Sequence, residues 1–129
     1  MSKPSEANPA HLPHPAAIDG YGKGGFAFAG MSHRGSLMCL PDGIWAWPVQ
    51  SAGAIDENTL RFAFDRAAML DLFLIGTGAE MWVMPEPLRR LCRDAGLRAE
   101  TMQTGAAVRT YNVLLAEGRR VGAALIAVP

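Results

Sequence analysis

The sequence predicts a single α/β domain, and two stretches carry that prediction. Between residues 26 and 49, short apolar runs are separated by Gly- and Pro-containing turns, the punctuation of an antiparallel β meander. After residue 68, short apolar runs alternate with amphipathic stretches in the order β-α-β-α-β, the pattern of strands joined by crossover helices. Length and composition agree. A chain of 129 residues, 50% hydrophobic and 19% charged, can bury a core without metal or disulfide staples.

Residues 1–15 hold Pro4, Pro9, Pro13 and Pro15 and little to bury, so a disordered tail is expected, with the domain over 16–129. His11 and His14 lie in that stretch, but the prolines exclude the helix that would bring them to one metal. Ile18–Gly25 is dense in glycine. A Gly-rich loop cradles phosphate when a helix N-terminus follows it. Here Phe26–Met31 follows and reads as a strand, so a hairpin connection or irregular entry is expected. Ser32–Gly35 reads as a turn and Ser36–Leu40 as a strand. Pro41-Asp42-Gly43 is a turn, because Pro presets φ and Gly supplies a positive one. Ile44–Val49 is the third strand, antiparallel to its neighbour. Trp45 and Trp47, two apart, share one face of it, either as core or, if exposed, as a protein-contact patch. Over Asp56–Ala68, Leu60, Ala63, Phe64 and Ala67 keep helical spacing behind Asp56 as N-cap. The alternation of Leu60, Phe62 and Phe64 suits a strand instead. Helix is favoured.

Leu72–Ile75 is wholly apolar and ends in Gly76-Thr77-Gly78, as a strand covered on both faces would. Pro85–Ala95 is a helix with Leu88, Leu91, Cys92 and Ala95 as its buried stripe and Gly96 at its end. Leu97–Met102 is a strand. Thr104 is expected to cap a helix over 105–117 that buries Ala107, Tyr111, Leu114 and Leu115 and stops at Gly118. Arg119–Val128 is the last strand, with Val121, Ala123, Leu125 and Ala127 alternating.

Composition excludes several functions. Lys+Arg and Asp+Glu are both 12, so the net charge is zero, and nucleic-acid binding by phosphate neutralisation is not expected. No apolar run is long enough for a transmembrane helix, and the N-terminal stretch has no apolar centre of signal type, so the cytoplasm is expected. Cys39 and Cys92 sit in apolar surroundings and read as core. His33 is the one histidine of the expected domain. Ser32 and Ser36 flank it without a Gly-x-Ser-x-Gly elbow, and no His, Asp or Glu cluster has metal spacing. Neither an enzyme nor a cofactor is expected. Two places carry ligand-type chemistry. Gly76, Thr77 and Gly78 end a strand where α/β proteins bind ligands, or form only a tight turn. Thr104, Arg109 and Asn112 sit on a helix whose first N–H groups attract anions, unless Arg109 pairs with a local carboxylate such as Glu117.

The residues Ile18-Asp19-Gly20-Tyr21-Gly22, Met31-Ser32-His33-Arg34-Gly35-Ser36-Leu37, Pro41 with Trp45, Ile75-Gly76-Thr77-Gly78, and Thr104-x-x-Ala107-x-Arg109-Thr110-Tyr111-Asn112-x-Leu114-x-x-Glu117-Gly118-Arg119 resemble one family. It is the domain of unknown function shared by mitochondrial complex I assembly factor 3 and the adipogenesis-associated domain protein. The resemblance covers residues 16–128. It implies a three-layer α/β fold with a central mixed sheet and an added β layer, with no catalytic residues and no cofactor. With no mitochondrial targeting stretch, a bacterial single-domain member is expected, as monomer or homodimer. Two functions follow. One is a non-enzymatic accessory protein acting on another protein, in assembly of a membrane or respiratory complex. The other is a small-molecule or anion binder at Gly76–Gly78 and Thr104–Arg109.

Overall fold

Eight strands build two sheets in a computed structural model that describes residues 10–129. The first sheet is antiparallel, ordered β1 (Ile18–Gly22), β2 (Gly25–Phe28), β3 (Met31–Arg34). The second is mixed. It consists of β4 (Ser36–Leu40), β5 (Gly43–Trp47), β6 (Leu72–Gly76), β7 (Ala99–Met102) and β8 (Val121–Leu125), in the order β5-β4-β8-β6-β7. β4 is antiparallel to β5 and β8, whereas β6 is parallel to both β8 and β7. Three helices join them: α1 (Arg61–Asp65), α2 (Glu86–Asp94) and α3 (Thr104–Ala116).

Period-two alternation sends neighbouring side chains of the mixed sheet into two separate cores. Met38, Phe73, Ile75 and Ala124 face the core beneath α1 and α2. Leu37, Cys39, Leu74 and Leu125 face the other, beneath α3 and the small sheet with its Phe26 and Phe28. The architecture is therefore three-layered, with a C-terminal β-α-β-α-β unit at its centre. β8 lies between β4 and β6, and all five of its residues are buried. Cys39 and Cys92 are free and buried; burial alone pushes the Cys39 thiol up to about 12, so neither is a poised nucleophile.

Several expectations are corrected. Ser32–Arg34 is strand, not turn. The reversal lies upstream at Ala29-Gly30, whose φ angles of 50° and 74° make a two-residue hairpin turn between Phe28 and Met31. The chain then leaves at Gly35, so the N-terminal antiparallel meander is β1-β2-β3, earlier in the chain than expected, and β4 and β5 belong to the mixed sheet. The helix expected over 56–68 shrinks to Arg61–Asp65 plus a 3₁₀ turn at Ala67–Met69. Asp56 still caps, accepting from the Thr59 N–H at 2.9 Å, but it closes a turn rather than a long helix. Leu91, Ala95, Leu114 and Leu115 are half-buried, and Val108 is buried in their place. The α3 stripe is centred on its first two turns, where Thr104, Ala107, Val108 and Tyr111 are all buried.

The expected tail divides. Its first nine residues lie outside the described residues. The remainder is not free: the His11 N–H donates to the Ile44 carbonyl at 2.8 Å, and the Ile44 N–H to the Leu12 carbonyl at 3.0 Å. Pro13 and Pro15 withhold their own N–H groups but leave residues 11 and 12 able to pair along β5. The domain therefore reaches back past residue 16.

Candidate functional site

The strands β6 and β7 run parallel, and their connections place α2 under one core and α3 under the other. This divergence opens a crevice at the C-terminal ends of parallel strands, the usual ligand site of such sheets. Gly76, Thr77, Gly78 and Thr104 all stand there, as their positions in the sequence suggest.

The chain stitches that crevice closed with its own groups. The Thr77 N–H donates to Met102 O at 2.8 Å, and the Thr104 N–H to Gly78 O at 2.9 Å. The Thr104 hydroxyl, fully buried, accepts from the Gly78 N–H at 2.9 Å and donates to Ile126 O at 2.7 Å. Thr77 Oγ1 donates to Glu80 O at 2.7 Å. Thr104 is thus not the cap of its own helix; it is a clasp joining the ends of β6 and β8. The N–H groups of Thr77 and Gly78, which would have cradled an anion, are already bonded within the protein. Asn112 is also used internally, accepting from the Ile18 N–H and donating to Ile18 O, both at 2.8 Å. Beside it the Tyr111 hydroxyl donates to Ala16 O at 3.1 Å. These two side chains strap β1 onto α3.

Outside the clasp lies an open groove of about 430 Å³, with Tyr21, Gly78, Ala79, Gln103, Gly105 and Arg109 among its walls. Gln103 Nε2 holds Ala79 O at 3.0 Å. A Cβ at Gly105 would stand 2.5 Å from the hydroxyl of the exposed Tyr21, so the ring tip packs against the bare glycine and would have to shift for any larger residue. Arg109 is exposed, and among the described residues no carboxylate lies within ion-pair distance of it, Glu117 included. The groove therefore joins Gly78 to Arg109 without Thr77 or Asn112. Sequence reading missed Tyr21, Gln103 and Gly105. The Gly-Tyr-Gly of β1 was the available signal, but its pairing with a glycine 84 positions away is not a local property.

The other candidates resolve by burial. Trp45 and Trp47 are 7% and 5% exposed, so of their two readings the structure has core, and the contact patch is set aside. Ser36 is no nucleophile, since its hydroxyl donates to Val49 O at 2.6 Å and accepts from the Ala127 N–H. The His33 ring stands 4.8 Å from that of His11, and burial together with that neighbour holds its pKa below the usual 6.5. An apolar surface absent from the expected site residues does appear. In the loop between β6 and α2, Met81 and Val83 are 82% and 84% exposed, with half-buried Trp82 between them.

Comparison with known proteins gives a consistent set of relatives. Residues 18–126 match the family model described as a protein of unknown function, DUF498/DUF598. An uncharacterised protein of Rhodobacter capsulatus is 44% identical over 112 residues, covering 87% of this chain and 85% of its own length. The NADH dehydrogenase (ubiquinone) 1 alpha subcomplex assembly factor 3 of Mus musculus is 29% identical over 93% of this chain but only 65% of its own, so this chain spans less than two thirds of that relative. The crystal structure of an outer membrane protein from Bartonella henselae superposes with a TM-score of 0.88 at 45% identity, covering 92% of this chain and 100% of that one. Among the described residues no helix is long and apolar enough to cross a membrane.

Proposed function

The chain belongs to the DUF498/DUF598 family, and from that membership we propose a non-enzymatic accessory protein that works by protein contact in the assembly of a membrane or respiratory complex, from the cytoplasm. The observation that carries this reading is the loop of residues 79–84. Two large apolar side chains stand out from it almost fully exposed, at a chain position where a half-buried Trp82 anchors the loop to the core. Side chains of this kind cost little when free and release bound water when a partner covers them. The assembly-factor relatives support the same class of work. No cofactor enters the reading.

The test is a comparison of affinity-tagged wild type with a Met81→Glu/Val83→Glu double variant, each recovered from its native host after chemical cross-linking. Wild type is expected to bring down subunits of one membrane complex, and the variant to lose them at unchanged thermal stability. Equal recovery by both proteins would overturn it.

A second reading has its own observation, the groove that joins Gly78 to an Arg109 with no carboxylate partner among the described residues. On this reading the groove takes a small anion beside the guanidinium and the α3 N-terminus. Phosphate or a small carboxylate should then raise the melting temperature of wild type, and Arg109→Met should abolish that rise while leaving the fold intact. No shift in wild type would remove the reading.

A further inference from the structure

The two tryptophans that close the core against α1 do not close it completely. Trp45 and Trp47 project from one face of β5, and Met38 lies beside Trp45 on β4 in direct register. The segment leading into α1 is laid over that face and is held at two points. The Trp47 indole N–H donates to Thr59 O at 2.8 Å, and the Phe62 ring meets Trp45 edge-on at 5.1 Å. Between those points the walls part and leave a cavity of about 230 Å³, with Met38, Trp45, Trp47, Pro48 and Phe62 as its apolar lining.

The aromatic wall is braced from its far side. The Arg66 guanidinium sits 4.8 Å from the Trp45 ring centroid and 5.1 Å from that of Phe62, and its Nε reaches both Asp42 carboxylate oxygens at 2.8 and 2.9 Å. Arg66 is therefore committed and does not line the cavity. The brace holds the Trp45 and Phe62 rings that wall the space. Its volume is half as large again as the ~150 Å³ of an enclosed apolar cavity that takes up benzene, and it opens to solvent at exposed Ala46, Pro48, Asn58 and Arg61.

The polar part of the lining is small and of one sign. Asn58, Thr59 and Arg61 supply it, and Arg61 is the single charged member. Both Thr59 polar groups facing this region are taken, its carbonyl by Trp47 and its hydroxyl by Asp56. Arg61 is only loosely held: Glu57 lies 3.7 Å away, and both side chains are half exposed. A ligand here meets an aromatic interior and then one guanidinium at the rim.

We propose that this cavity binds a small apolar carboxylate, a molecule with one aromatic or branched hydrocarbon body seated between Trp45, Trp47 and Phe62 and a short acid arm reaching Arg61. A cationic head is repelled by Arg61, and a neutral one leaves the guanidinium with water and Glu57. The site is distinct from the Arg109 groove and does not depend on the protein-contact role.

The experiment titrates the intact chain with 4-phenylbutyrate, 4-phenylbutan-1-ol and 4-phenylbutylamine, reading tryptophan fluorescence and the indole N–H resonances. The carboxylate should change both saturably, moving the Trp47 indole signal and leaving that of Trp82 in place. The alcohol should bind roughly five- to tenfold more weakly and the amine more weakly still, as one charge-assisted contact is lost or reversed. Arg61→Gln should bring the carboxylate down to the alcohol. Glu57→Gln should tighten it by removing the competing acceptor. Asn58→Phe, a change at an exposed position on the rim, should block all three. Equal binding of the three probes, movement of Trp82 in place of Trp47, or no saturable change in wild type would each overturn the proposal, and the last three readings need no variant to fold.

Discussion

Asn112 shows why single polar residues of this chain resist functional reading from sequence. Its amide completes both backbone bonds of Ile18, a residue 94 positions away. Asn112→Ala should therefore cost about 2–3 kcal/mol in chemical denaturation, since two part-buried backbone groups lose their partners. Thr104 is the sharper case. Thr104→Val keeps the shape but orphans Gly78 N–H and Ile126 O, and about 2–4 kcal/mol should be lost; Thr104→Ser keeps the hydroxyl and should stay within about 1 kcal/mol of wild type. A hydroxyl at a helix start is legible as a cap. That it faces backwards toward the sheet is set by Gly78 and Ile126, 26 and 22 residues away, just past the ends of β6 and β8. His33 supplies a pH dependence. Its pKa is lowered on folding, so the unfolded chain binds more protons, and stability must fall as pH drops below about 6.5. His33→Gln should flatten the urea-midpoint profile as pH falls from about 6.5, while the slope at much lower pH, where Asp71 loses Arg120, should persist.

At the scale of elements, the legible parts are those whose burial is complete or whose periodicity is long. β6 and α2 were readable from Leu72–Ile75 and from Leu88 with Cys92, because an apolar run and an i, i+4 pair need no distant information. β3 was not, because its turn is Ala29-Gly30 and an alanine at positive φ carries no turn signal. That strain is testable: Ala29→Gly should raise stability by up to about 1 kcal/mol, the left-handed cost of a Cβ less the added freedom of glycine. A drop in denaturation midpoint would show that the alanine methyl has a packing role. The segment at residues 10–12 was missed for the opposite reason, since prolines nearby suggested no structure at all. Removing residues 1–14 should cost about 1–3 kcal/mol relative to removing 1–9, for two backbone bonds and the packing of Ala10 and Leu12.

Over the whole molecule, the two cores share one sheet and cannot melt independently. Leu125 lies in the core under α3, whereas both tryptophans of β5 lie in the other. Leu125→Ala should lose about 2–5 kcal/mol, and tryptophan fluorescence and far-ultraviolet dichroism should report one common midpoint. Separate midpoints would show that the layers are uncoupled. The candidate groove was legible at this scale only in outline. The place, at the end of β6 beside the start of α3, follows from the β-α-β order. Which N–H groups remain free there depends on the clasp, and the clasp depends on β8.

The position of β8 has a consequence for how the chain is made. Residues 123–125 pair with residues 37–39 on one side and with β6 on the other. A ribosome therefore delivers the middle of the sheet after both of its flanks, and Leu37, Met38, Leu74 and Ile75 wait with open hydrogen-bonding edges until it emerges. Such non-local closure is slow and exposes the waiting strands to aggregation. A nascent chain arrested after Gly118 should be digested by protease throughout and held by chaperones, while release of the remaining residues should confer resistance in a single step.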